Sequence, residues 1–121
     1  MNLSQPITIL RTFDETKSRE FYVDYLGFTI DWEHRFAKDM PLYMQVSKDN
    51  CVLHLSEHHG DGTPGTIIRI ECTDIKGYHR ELQSKNYASL NPGINDTPWS
   101  KMELSLADPF GNKLIFFEPR D

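Results

Sequence analysis

One plan runs twice along this chain, and few folds accommodate it. Pro6 to Thr12 reads as a short strand carrying β-favouring Ile7, Thr8 and Ile9. Asp14 then stands where a helix N-cap belongs, and Phe21, Tyr22, Tyr25 and Leu26 recur at helical spacing between Glu15 and Leu26. Gly27 ends that helix. Three strands follow, at Phe28–Phe36, Leu42–Ser47 and Cys51–Ser56, the last two joined by a Lys48-Asp49-Asn50 turn. In the first of them Phe28, Ile30, Trp32, His34 and Phe36 alternate with Thr29, Asp31, Glu33 and Arg35 and are expected to share a face. After a polar, glycine-rich loop from Glu57 to Gly65 the plan restarts. Thr66–Thr73 is a strand, Asp74 caps a helix running to about Lys85, and Tyr78 and Leu82 lie on one of its faces. Asn86 to Trp99 reads mostly as loop with room for one short strand. Lys101–Ala107 and Leu114–Phe117 then form a hairpin about the tight turn Asp108-Pro109-Phe110-Gly111-Asn112.

Strand runs with one helix per half predict an α+β fold with helices on one sheet face. At 121 residues without a linker, the chain is expected to be a single domain over 1–121, with modules at about 1–60 and 61–121. No apolar run approaches the roughly 20 residues needed to cross a bilayer. Met1 to Pro6 lacks a secretory pattern, so no membrane association and a cytoplasmic location are expected. Acidic and basic residues are interspersed about a net charge of -5, which argues against nucleic acid as a partner. Cys51 and Cys72 lack metal-ligand spacing and read as small buried core residues. No nucleophile elbow or glycine-rich phosphate loop is present, so no catalytic residue and no cofactor is assigned.

Asp14 to Phe28 (DETKSREFYVDYLGF) resembles the first helix of the glyoxalase, bleomycin-resistance and extradiol-dioxygenase (vicinal-oxygen-chelate) superfamily. Trp99 to Phe117 (WSKMELSLADPFGNKLIFF) resembles its closing hairpin, and Glu71 to Leu82 fits its second strand-to-helix junction. The resemblance implies two βαβββ modules forming a curved, cup-shaped mixed sheet, with helices outside, a ligand in the cup and two chains paired. Metal-dependent members carry His, Glu or Gln at four cup positions, which fall here on Ile7, His54, Ile67 and Ile115. Isoleucine has no lone pair to give a cation, and one imidazole cannot hold a divalent ion against water. The resemblance therefore points to the metal-free bleomycin-resistance branch rather than to glyoxalase, dioxygenase or epimerase chemistry.

If those positions face the cup, Ile9, Arg11, Arg69, Glu71, Glu103, Ser105 and Phe117 join them, while Leu10, Ile68, Ile70, Leu114 and Phe116 pack on the helices. Arg69 and Glu71 then bind ligand or form an internal salt bridge at a dimer seam. His54 is either a hydrogen-bonded cup-lining residue or an acid–base group. Trp32, Phe36, Tyr43 and Trp99 offer aromatic faces to a flat heteroaromatic or cationic ligand, with His34 beside Trp32 and Phe36 as a further ligand contact, or else Phe36 and Tyr43 fill a dimer interface. Glu33, Glu57, Glu71 and Glu103 supply an acidic lining. The function expected is a homodimer sequestering a bleomycin-type antibiotic or similar cationic aromatic molecule. The alternative is a metal-dependent lyase or dioxygenase whose site is displaced toward His34, His54, His58 or His59.

Overall fold

The computed structural model describes residues 1–87 and 92–120. Part of the segment between Asn86 and Trp99, read above mostly as loop, lies outside them. The chain divides into two compact units, Met1–Pro64 and Gly65–Asp121, with the same element order.

In the first unit β1 (Thr8–Arg11) leads through Asp14 into α1 (Glu15–Ser18). The Asp14 carboxylate caps that helix by accepting from the Lys17 amide at 3.0 Å. The helix continues to Tyr25, but Arg19–Tyr25 is wound as a π-helix, a difference from the regular spacing that the sequence implies. Gly27, at φ +88°, closes it where a side chain would be strained. Strands β2 (Thr29–His34), β3 (Tyr43–Lys48) and β4 (Cys51–Ser56) complete a four-stranded sheet in the order β1-β4-β3-β2. Only the β1–β4 pair is parallel, because the helix lies between β1 and the meander and returns the chain to run alongside it. One sheet face and the helix enclose Leu10, Phe21, Tyr22, Tyr25, Leu26, Met44, Val46, Leu53 and Leu55, all nearly inaccessible.

In the second unit β5 (Ile67–Glu71) leads to α2 (Ile75–Lys85), then β6 (Ile94–Thr97), β7 (Ser100–Ala107) and β8 (Lys113–Pro119). The sheet order β5-β8-β7-β6 repeats the first topology, again with one parallel pair, β5 with β8. The fold is α+β, two βαβββ modules with mixed sheets. Ile75, Tyr78 and Leu82 of α2 are buried, as are Leu104, Leu106, Leu114 and Phe116 of the sheet. Tyr78 meets Phe116 edge to face at 5.2 Å. Asp74 caps α2 through the Gly77 amide at 3.2 Å. A Cβ at Gly77 would come within 2.2 Å of that carboxylate, so the cap requires glycine there. In the β7–β8 turn the Asp108 carboxylate accepts from the Phe110 and Asn112 amides, both at 2.8 Å, and from the Asn112 side chain at 2.9 Å. These bonds explain why that turn is spelled Asp-Pro-x-Gly-Asn.

Three expectations need correction. The alternation of β2 does not run straight through: the register slips between Ile30 and Trp32, so Ile30 opposes Val46 but Trp32 opposes Gln45. This bulge leaves Phe28 on the core side and puts Trp32 and His34 on the opposite face. Glu33 is thereby paired with core-facing Met44, and its carboxylate is engaged by Arg19 of the helix rather than lining a groove. Finally, Cys51 and Cys72 form no disulfide and are half-buried rather than buried.

Candidate functional site

The face of the first sheet that turns away from its helix carries the clustered aromatics. Trp32 stacks on Tyr43 with ring centroids 6.0 Å apart and planes 9° from parallel. His54 stands edge-on to both, at 5.3 Å from Trp32 and 5.2 Å from Tyr43. His34 meets Phe36 at 4.8 Å, and Phe36 meets His58 at 5.9 Å. Trp32 is 43% exposed and Phe36 75%, so costly hydrophobic surface is held in the open. The site residues Trp32, His34, Phe36, Tyr43 and His54 are thus one cluster.

A hydrogen-bond chain runs beneath the rings. Tyr43 Oη lies 2.7 Å from His54 Nδ1, and His54 Nε2 lies 3.0 Å from Gln45 Oε1. Gln45 Nε2 in turn donates to Asp31 Oδ2 at 3.1 Å, and Ser47 Oγ donates to Asp31 Oδ1 at 3.0 Å. Burial holds the His54 imidazole below its usual range, which favours the neutral ring. Burial, and then the negative charge of Asp61, push the Tyr43 phenol up, so it keeps its proton.

Gln45 and Asp31 were not among the sequence candidates. The alternation Tyr43, Gln45, Ser47 against buried Met44 and Val46 could have revealed Gln45. Asp31 keeps the face that alternation gives it with Thr29, opposite Ser47, and what the sequence hides is that Trp32 and His34 join that face beyond the bulge.

The second unit holds a separate polar cluster on β5, β7 and β8. Glu103 Oε2 accepts from Trp99 Nε1 at 2.8 Å and Ser100 Oγ at 2.8 Å, and pairs with Arg69 at 3.1 Å. The Arg69 guanidinium lies over the Phe117 ring at 4.4 Å. Burial raises the Glu103 carboxyl, but bonds from Ser100, Arg69 and Trp99 and the Arg69 charge outweigh it, and the net shift is downward. Arg69 therefore pairs with Glu103, not with Glu71. Glu71 is exposed, beside Phe117 in register, and Glu57 accepts from the Leu42 amide at 3.4 Å. Of the four glutamates expected as an acidic lining, Glu33 and Glu103 are neutralised by arginines.

The whole chain, residues 1–121, matches the family described as glyoxalase superfamily protein. It belongs to the glyoxalase superfamily. No curated protein matches the sequence. Among solved structures, the bleomycin resistance determinant encoded on the transposon Tn5 is similar at TM-score 0.75 and 19% identity, covering 98% of this chain and 100% of that one. A bleomycin-binding protein complexed with bleomycin gives TM-score 0.71 at 20% identity, covering 98% and 100%. The antibiotic-binding protein TnmS3 from Streptomyces sp. CB03234 gives 0.71 at 18%, covering 99% of each chain. At these identities the likeness is one of fold.

The residues at the four positions where the resemblance places metal ligands do not fit a cation. Ile7, Ile67 and Ile115 are hydrocarbon, and both ring nitrogens of His54 are engaged, by Tyr43 and Gln45. A displaced centre fares no better, since no three His, Cys, Asp or Glu side chains converge among the described residues. Nor, among them, is any helix long and apolar enough to cross a membrane.

Proposed function

We propose that this glyoxalase-superfamily chain is a metal-free binding protein of the bleomycin-resistance kind. It works as a homodimer that sequesters a bleomycin-type antibiotic or a similar cationic aromatic molecule. The observation that carries this reading is the open Trp32–Tyr43 stack, backed by His54 and flanked by Phe36. An aromatic face kept exposed at a hydrophobic cost suits a planar ligand, and its electron-rich surface suits a cationic one. The bleomycin-binding and antibiotic-binding proteins that share the fold support the same reading. Protection comes from stoichiometric binding, because the uncommitted groups needed for metal-assisted chemistry are absent from the superfamily positions. Arg69, Glu71, Trp99, Glu103 and Phe117 are assigned as a second contact region, in which Trp99 offers a ring that is 66% exposed.

Calorimetric titration with bleomycin tests the reading. Saturable binding is expected, and Trp32→Ala should weaken it about tenfold, the effect of one aromatic stacking contact. Absence of saturable heat with folded protein would refute the drug assignment. Light scattering on the eluted protein should give twice the mass of the chain.

A further inference from the structure

The hydrogen-bond chain under the aromatic cluster has a direction, and the direction is set at Asp31. A carboxylate only accepts hydrogen bonds, so the group that Gln45 turns toward Asp31 must be its NH2, at 3.1 Å. The Gln45 carbonyl oxygen then faces His54 Nε2, at 3.0 Å, and that nitrogen must carry the proton. In the neutral ring Nδ1 is left as an acceptor, so the Tyr43 hydroxyl, 2.7 Å away, spends its one proton on it. What Tyr43 Oη retains is acceptor capacity alone. Tyr43 is also the ring that touches Trp32, His54 and His58, so this oxygen belongs to the centre of the cluster.

We propose that the Asp31–Gln45–His54 relay makes Tyr43 Oη an obligate acceptor, so that this face selects planar aromatic ligands presenting an N–H donor at their edge and discriminates against isosteres presenting a lone pair. Tyr43 is the specificity-determining contact, and Asp31, Gln45 and His54 are positioning residues. The inference rests on the binding reading above and sharpens its ligand class. The charge of Asp61, felt at Tyr43, acts in the same sense by favouring a donor or cation there.

Indole and benzofuran share shape and differ in a ring N–H against a ring oxygen. Titrated into the full-length protein and followed by NMR shifts, indole should bind about fivefold more tightly, the effect of one neutral hydrogen bond. Tyr43→Phe should erase the preference. Asp31→Asn, which lets the Gln45 amide turn over, should reduce it. Nitrogen-15 spectra of the free protein should show His54 protonated on Nε2, and a mixture of tautomers in Asp31→Asn. Equal binding of both probes, a preference that survives Tyr43→Phe, or His54 protonated on Nδ1 would overturn the inference and leave the aromatic-binding reading standing. Failure of both probes and of bleomycin to bind would overturn the two together.

Discussion

Removing the Glu103 carboxylate tests how the second unit is held together. In Glu103→Ala three donors lose one acceptor, but they do not lose equally. Trp99 is largely exposed and the Arg69 side chain 41% exposed, so water can take the place of the carboxylate for both. Ser100 is fully buried, and its hydroxyl is left with the Arg69 donor and no acceptor. An unsatisfied buried hydroxyl costs about 1–3 kcal/mol, and the lost charge-assisted bonds add about 1.5–3 kcal/mol in net terms. The remaining arginine charge stays solvated, which keeps the sum below that for breaking a wholly buried ion pair. The expected loss is about 3 kcal/mol, or a fall in Tm of about 10 °C for a chain of this size. Glu103→Gln keeps an oxygen for Ser100 and should lose about half as much. Thermal and urea unfolding near neutrality measure both. A fall smaller than that of an ordinary surface substitution, about 0.5 kcal/mol, would refute the argument that Glu103 organises Trp99, Ser100 and Arg69.

Acid should weaken the fold through two groups acting in the same direction. Glu103 is depressed in the folded state, so its contribution is complete above the ordinary glutamate range and is lost as pH falls through its lowered value. His54 is also depressed, so below the ordinary histidine range the unfolded chain takes up the proton first and stability falls. His54→Gln should flatten the unfolding profile between neutrality and the carboxylate range, and an unchanged slope there would contradict the assignment. Gly62→Ala should cost about 1–2 kcal/mol, because φ is +79° and its Cβ would lie 3.1 Å from the Ile9 carbonyl oxygen. A neutral result in chemical unfolding would mean that the loop shifts freely. Protein purified without a tag or chelator should carry substoichiometric zinc, manganese, iron and nickel by elemental analysis, and a molar equivalent of any of them would refute the metal-free reading.

The element order was legible because each module is spelled by local chemistry. Asp14 and Asp74 cap, Gly27 stops a helix, and Asp108 with Asn112 locks a turn, each by contacts within a few residues. The helix-facing side of the strands was legible for the same reason that a one-residue slip is costly: Leu10, Leu114 and Phe116 are buried, while Ile9 and Ile67 on the other face are 40% and 62% exposed. The aromatic site was legible in its members but not in its arrangement. Strict alternation groups Phe28 and Ile30 with Trp32 and His34, and puts Asp31 behind them. One unpaired residue between Ile30 and Trp32 moves Trp32 and His34 onto the face of Asp31, and composition carries no mark of it. The consequence is chemical as well as geometric. Without the bulge Asp31 would still share the face of Thr29, Gln45 and Ser47, but Trp32 and His34 would point to the core side and the Tyr43–His54–Gln45 chain would lose the Trp32 ring beside it. Deleting Asp31 should therefore restore a regular ladder in which Ile30 still opposes Val46 and Trp32 still opposes Gln45, so that the Trp32–Tyr43 stack survives while the carboxylate that orients Gln45 is lost. Near-ultraviolet circular dichroism reads that stack directly, and loss of its signal in the deletion variant would refute the register argument.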